Sequence, residues 1–388
     1  MRGEEQSAST RAITAGRSQQ GASLTPPLWG TSTWQTGGLD DTRKRATGLR
    51  AEQFYSRYAN PTVRAFEEAI ADLEGAEDAL AFSSGMGAFA SVVFALCSTG
   101  DHVVAQRQMY AGSSAFLLGP CARMGIDVTW VDGTTPGEFA KAIIPGRTML
   151  VIAESPSNPR LDLVDLADLG AITGPFTVID STFATPLGQQ PIRYGIDLVL
   201  HSATKGISGH NDATLGVVAG ERDLIASIWA YSVLHGACAS PFDALNGLRG
   251  IRTLAVRQRH QAASAGQIAA ALQRHAGVAA VYYPGLETHP QHALATEQLS
   301  MMPTLFAVDL AGGVDSARVM LDALRLARPA TSLGGPETLV CHSATSTHVS
   351  LTPEDQAAIG ITDGLLRISV GLEDTDELIA DLTQAIPV

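Results

Sequence analysis

The sequence predicts an α/β protein: a mainly parallel sheet covered on both faces, followed by a smaller C-terminal α+β domain. Three observations predict it. Short apolar runs at 79–82, 102–106, 127–131, 148–153, 176–179, 198–200 and 215–219 alternate with helical patterns, the signature of such a sheet. The chain has 388 residues, more than one usual hydrophobic core serves, so two or more domains are expected. From Asp243 the texture changes to a long arginine-rich helical stretch and then to strand-and-helix units around 278–283, 305–310 and 365–370. The expected division is an arm at 1–54, an α/β domain at 55–242 and an α+β domain at 243–388.

Composition narrows the class. Hydrophobic residues make up 45% and charged residues 17%, which describes a well-buried globular chain and not a disordered one. A net charge of −13 argues against nucleic acid or an anionic membrane as partner. Any anion site must therefore be built locally. Cys97, Cys121, Cys238 and Cys341 show no paired spacing, so reduced thiols are expected, with neither a disulfide frame nor a metal site. The polar start lacks the apolar core of a signal peptide, and no apolar run approaches a membrane span. A cytoplasmic location is expected.

Residues 1–53 are polar and rich in Gly, Ser, Thr and Pro, yet Pro26, Pro27, Trp29 and Trp34 suit an arm that docks on a neighbouring subunit. Asn60 is a good N-cap and Pro61 fits a first helical turn. The helix then carries Val63, Phe66, Ile70 and Leu73 on one face and stops at Gly75. Tyr55 and Arg57 precede it in extended chain, where both could point to an anion. After the strand at 79–82, Ser83-Ser84-Gly85-Met86-Gly87 opens an apolar helix through Leu96, a natural phosphate cradle because free N–H groups converge at a helix start. Gly85, Gly87 and Ala90 also match the GxGxxA dinucleotide fingerprint, which makes an NAD(P)-dependent dehydrogenase a competitor. That reading needs an acid at the end of the next strand, and 102–107 offers none.

Tyr110 follows that strand at a sheet's carboxyl end, where an aromatic can stack on a flat cofactor. Two further strand ends carry polar residues that no core would choose: Glu154 through Asn158, and Asp180 with the hydroxyl-rich turn behind it. A carboxylate buried there is costly unless a positive group faces it. The stretch from Asp197 to Asp212 is the most informative. A buried-strand pattern breaks into Ser202 and Thr204, directly before Lys205, and glycines follow. Lysine, hydroxyls and a partly buried strand end together suit a Schiff-base lysine holding pyridoxal phosphate; a surface lysine in a loop is the alternative. In the C-terminal region Arg367 alternates with Leu366, Ile368 and Val370, so it faces away from the apolar side or into a cleft. Its rigid fork suits a substrate carboxylate; a structural salt bridge is the alternative.

YSRYANPT (55–62), SSGMG (83–87), the Tyr110 loop, ESPSNP (154–159), DSTFATP (180–186), HSATKGISGHND (201–212), SLGGPETL (332–339) and RISVGLED (367–374) together resemble the Cys/Met-metabolism family of pyridoxal-phosphate enzymes, from about Thr14 to the end. The resemblance implies the aspartate-aminotransferase-like fold type I in a homotetramer of active dimers. It implies that Lys205 binds the cofactor aldehyde and shuttles protons, that Asp180 faces the pyridine nitrogen, and that Tyr110 stacks on the ring and assists the leaving group. Gly85, Met86, Ser202 and Thr204 would hold the phosphate with Tyr55 and Arg57 of a neighbouring subunit. Asn158 would lie near the ring hydroxyl, and Arg367 with Ser332 would take the carboxylate of an amino-acid substrate.

Departures from the family bear on the substrate. Where relatives have Tyr or Trp after the lysine, this chain has Gly206. Positions charged in cystathionine enzymes are Phe54, Ala115 and Thr331 here, and Gly112 stands where methionine γ-lyase has cysteine. A pocket without those charges cannot compensate a second zwitterion. The expected reaction is γ-elimination on a compact amino acid, a class that includes unusual substrates such as a γ-halogenated one, with γ-replacement as the alternative.

Overall fold

Strands β1 (Asp78–Phe82), β2 (His102–Gln106), β3 (Asp127–Val131), β4 (Thr148–Glu154), β5 (Phe176–Asp180), β6 (Leu198–His201) and β7 (Gly216–Gly220) form a seven-stranded sheet in the order β1-β7-β6-β5-β4-β2-β3. The computed structural model describes residues 6–19 and 21–388; residues 1–5 and 20, part of the expected arm and of its polar start, lie outside the described residues. Strands β2 to β6 pair in parallel, and only β7 runs against its neighbours β1 and β6. Strands β2, β6 and β7 are buried along their length, β4 at all but Met149 and β5 at its three central residues, because helices cover both faces.

This order disposes of the dinucleotide reading. In that motif the strand before the glycine-rich turn and the strand after its helix lie side by side. Here β1 and β2 are separated by β7, β6, β5 and β4. The glycines instead serve a helix start that abuts the β6–β7 return, as described below.

The second sheet contains β8 (Val278–Tyr282), β9 (Leu305–Leu310), β10 (Arg328–Pro329), β11 (Leu339–His342) and β12 (Leu365–Ser369), in the order β10-β11-β12-β9-β8. Its interior gathers Leu366, Ile368 and Val370 with Phe306, Val308 and Leu378. Alternation along β12 therefore turns Arg367 to the opposite face, where it is nonetheless buried. The 32-residue helix Pro241–Leu272 joins the halves. Leu248, Ile251 and Leu254 pack with Phe66 and Ile70 in the first domain, whereas Ala265, Ile268 and Leu272 enter the core of the second sheet.

Pro61–Glu74 is the helix expected after Tyr55 and Arg57: Asn60 Oδ1 accepts from Thr62 N, and Gly75 ends it in a left-handed conformation (φ 73°). Part of the N-terminal segment packs on its own chain. Ala12 and Ala15 join the first core, and the Arg11 guanidinium donates to Leu73 O at 3.2 Å. Leu24, Leu39 and Leu49 stand exposed.

One polar cluster ties this segment to the sheet. Arg50 reaches Glu67 at 2.5 Å and Asp78 at 2.8 Å, while Arg64 reaches the same carboxylates at 2.9 and 3.0 Å. The cluster is charge-balanced and largely buried, so removing one member strands the others. Glu67→Ala should lower the unfolding free energy by about 3–5 kcal/mol in urea titrations; a loss below about 1 kcal/mol would show that the cluster is solvated instead.

Candidate active site

Parallel pairing brings the carboxyl ends of β2, β4, β5 and β6 to one edge of the sheet, and Glu154, Asp180 and Leu200 lie side by side in register there. A cavity of about 410 Å³ opens at this edge, with the second sheet's loops closing its other side. Gly85, Met86, Tyr110, Asn158, Asp180, Ser202, Thr204, Lys205, Thr331, Ser332 and Arg367 all line it. Those residues come from separate motifs spread along the chain, and the fold brings them together.

Lys205 stands on the return between β6 and β7. Its backbone N–H donates to Ser202 O at 3.1 Å, and the Thr204 hydroxyl is locked in exchange with Leu215. The turn thus aims Nζ across the cavity to donate to Ser332 Oγ at 2.8 Å. Burial, with the Arg367 charge second, pushes the ammonium down to about 8.

The helix Gly85–Leu96 begins against this return. Ser84 caps it by accepting from Gly87 N at 3.0 Å. A Cβ on Gly85 would fall 2.8 Å from Ser202 Cβ, and one on Gly216 would fall 2.1 Å from Ser84 O. Only glycine permits this approach. The result is a donor-rich corner of first-turn amides and the Ser202 hydroxyl; the Thr204 hydroxyl, which also lines the cavity, already gives its proton to Leu215 O. Among the described residues that line the cavity, the only cations are Lys205 and Arg367.

Glu154 is buried and Asp180 beside it half-buried, and both carboxyls are raised. For Glu154 burial is the largest cause and the Asp180 charge the next; for Asp180 burial dominates, opposed by the Thr182 hydroxyl and amide at 2.5 and 2.9 Å. Glu154 also organises two partners at once: Oε2 accepts from Tyr110 N at 2.7 Å and Oε1 from Asn158 N at 2.8 Å. The Tyr110 ring lies over Gly112, where a Cβ would come within 2.4 Å of Cε1.

Arg367 is a buried cation, and none of the ion pairs among the described residues includes it. Nη1 donates to Asn158 Oδ1 at 3.0 Å and Nη2 to Ser332 O at 2.9 Å, while buried Nε has no partner. Ser332 holds a left-handed backbone (φ 76°) that presents both its carbonyl to Arg367 and its hydroxyl to Lys205.

Tyr55, Arg57, Phe54 and Ala115 do not line this chain's cavity. Tyr55 is exposed and bridges Thr33; Arg57 lies 5.4 Å from the rings of Tyr55 and Tyr58 and donates to Val233 O; Phe54 meets Tyr58 edge-on at 5.5 Å. Ala115 sits on the exposed side of the short helix Ala111–Phe116. Sequence reasoning missed Ser346 and Thr347, which line the cavity beyond β11. Their hydroxyls follow a four-residue strand that carries no recognisable motif. His348 beside them is driven down to about 4, first by burial and then by the Arg367 charge, and is neutral.

The cavity's chemistry fits pyridoxal phosphate. A phosphate matches the corner of amides and the Ser202 hydroxyl. An aldehyde matches a half-buried lysine of lowered basicity, and a protonated ring nitrogen would supply the positive charge that half-buried Asp180 lacks. Comparisons with known proteins agree with that fit. The family profile described as Cys/Met metabolism PLP-dependent enzyme matches residues 9–387. An L-methionine gamma-lyase of Pseudomonas putida is 40% identical over 384 residues, 97% of this chain and 96% of that protein. An O-succinylhomoserine sulfhydrylase of Pseudomonas aeruginosa is 41% identical over 362 residues, 92% of this chain and 90% of its own. Among solved structures, cystathionine gamma synthase from Xanthomonas oryzae pv. oryzae, in complex with aminoacrylate and cysteine, superposes with a TM-score of 0.93 at 38% identity and 98% coverage of both chains. Fold, cavity chemistry and sequence similarity thus meet in one conclusion: the chain belongs to the Cys/Met metabolism family of PLP-dependent enzymes.

Proposed function

We propose that this PLP-dependent enzyme acts as a lyase that eliminates a γ substituent from a compact amino acid. The observation that carries the reading is Arg367, a buried guanidinium with an unpartnered Nε that shares Ser332 with Lys205. A substrate carboxylate would satisfy that cation and bring its α-carbon towards the lysine amine. Bound pyridoxal phosphate supplies an electron sink, so that protons next to the reacting carbons can be removed.

The remaining work falls to side chains. The Gly85 and Met86 amides with the Ser202 hydroxyl would hold the phosphate, Thr204 would brace the turn beneath it with its own proton given to Leu215 O, and Asp180 would keep the ring nitrogen protonated. Asn158 orients Arg367 through Oδ1 and is placed near the ring hydroxyl. Lys205 Nζ moves protons at the substrate α- and β-carbons. Tyr110, with its backbone N–H fastened by Glu154, covers the ring and gives its proton to the leaving group. Cavity residues Thr331, Ser346 and Thr347 are uncharged, which favours an apolar or uncharged leaving group over a second zwitterion. γ-Replacement is the second reading, favoured by the similarity to the sulfhydrylase and to the cystathionine gamma synthase. Ketoacid and ammonia release, assayed with methionine, homocysteine, cystathionine and O-acylhomoserines, tests the choice: efficient cleavage of cystathionine would refute the pocket reading, and product formation only with an added thiol would select replacement.

A neighbouring copy completes the site in this reading, within a homotetramer of active dimers. Support comes from the phosphate corner, which has no cation besides Lys205 and Arg367 among its described neighbours, and from Tyr55 and Arg57, which stay outside their own cavity. Lys205→Ala and Arg57→Ala should each cut turnover by about 100-fold or more. Co-expressed, the two variant chains should regain activity, because one site of each hybrid dimer has both residues intact. Hybrids as inactive as the separate variants would refute a shared site.

Acidity gives a further check. Lys205 must be neutral to attack the cofactor aldehyde, so capture by the apoprotein should accelerate as pH rises through about 8 and level off above it. Arg367→Ala removes the second cause of that lowered value and should move the midpoint upward. A stopped-flow profile flat from pH 6.5 to 9.5 would contradict both.

A further inference from the structure

The long helix Pro241–Leu272 turns a polar face inward where it passes between the two cores. Arg257, Gln258 and Gln261 are 5%, 1% and 2% exposed. Burying such groups is costly unless each finds a partner, and their partners lie on the three loops that carry the site. Arg257 is anchored to Thr253 through Nε at 3.0 Å, and Nη1 donates to Gly206 O at 3.0 Å, on the residue that follows Lys205. Gln258 Nε2 donates to Ala184 O at 2.8 Å, and Oε1 accepts the Thr185 hydroxyl at 2.6 Å. Those two residues belong to the loop behind Asp180, and Thr185 has a left-handed backbone (φ 60°) that a β-branched residue seldom adopts unaided. Gln261 Nε2 donates to Gly335 O at 2.8 Å and Val370 O at 3.0 Å, joining the Ser332 loop to the strand of Arg367.

Over this face the loops meet backbone to backbone. A Cβ on Gly334 would fall 2.5 Å from Gly206 N, and one on Gly206 would fall 3.2 Å from Thr185 Cγ2. The close junction requires glycine at 334, whereas a Cβ on Gly206 would meet only the Thr185 methyl.

We propose that Arg257, Gln258 and Gln261 are positioning residues, a rail that sets the separation of Lys205 from the Arg367–Ser332 pair. The proposal rests on the roles given above to Lys205 and Arg367. Residues spaced three and four apart on a helix share a face, so one rigid element indexes all three loops. A displacement of about 1 Å at a reacting group can cost about 100-fold in rate. The two ends of the rail therefore have separable effects: Gln261 governs amino-acid binding, and Arg257 governs the lysine's chemistry.

The test uses the holoenzyme with Gln261→Met and Arg257→Met, which keep side-chain bulk and remove the donors. L-norleucine, an amino acid without a γ leaving group, is titrated and its binding read from the visible absorbance of the bound cofactor. Ketoacid release with the preferred substrate gives kcat and KM. Gln261→Met should weaken norleucine binding and raise KM by about tenfold, with kcat within about threefold. Arg257→Met should lower kcat by about tenfold or more with norleucine affinity within about threefold, and Arg257→Lys should recover part of the loss. Should Gln261→Met not fold, Gln261→Asn, which keeps the amide but is one methylene short of its carbonyls, is read in the same way. Norleucine affinity and KM within about twofold of the parent in a folded Gln261 variant would overturn the proposal. So would equal losses in both parameters for both variants, or failure of both Gln261 variants to fold. A Lys205→Ala protein that keeps its cofactor absorbance and activity would instead strike the underlying assignment of the site, a result distinct from any of these.

Discussion

Parallel pairing of β2, β4, β5 and β6 is the constraint from which the site follows. It forces the carboxyl ends of those strands onto one edge, where the backbone has no further ladder to join. Polar residues that would be costly within any single strand become neighbours there, and each strand end contributes one. The second sheet adds what the first cannot: a guanidinium held against Asn158 and Ser332 from the far side.

The cavity so formed is electrostatically unfinished. The Asp180 charge adds to the cost of ionising Glu154, and the Arg367 charge adds to burial in lowering the basicity of Lys205. Folding tolerates this because other contacts hold the backbone: the Thr204–Leu215 exchange, the Ser84 cap and the bidentate carboxylate of Glu154. A ligand bearing phosphate, ring cation and carboxylate would settle all of these charges together. Preorganisation of this kind is how a protein lends geometry to chemistry that a cofactor performs.

Much of this was legible in the chain. The strands at 79–82, 102–106 and 148–153 were readable because strands of a sheet covered on both faces are largely apolar along their length. The Asn60 cap, the Gly75 stop and the outward turn of Arg367 followed from local rules. Lys205, Asp180 and Tyr110 were each visible as polar residues at strand ends. Strand order was not legible, since alternation leaves open which strands are neighbours; the glycines at 85 and 87 therefore kept a dinucleotide reading that β1's distance from β2 removes. The double grip of Glu154 on Tyr110 and Asn158, and the approach of Ser346 and Thr347, depend on contacts between segments far apart in sequence. The buried glutamines of the long helix look like solvent-facing residues in any window of sequence, and only the loops above them show otherwise.

Strand β7 runs back beside β6 instead of crossing over. The segment bearing Lys205 is consequently the bend of a hairpin whose two feet are already fixed on adjacent strands. Lengthening such a bend adds little entropic cost, about 0.6 kcal/mol for each doubling. Added length at its exposed stretch, His210 to Asp212, can therefore be borne while the sheet's register and the gripped residues around Lys205 stay as they are.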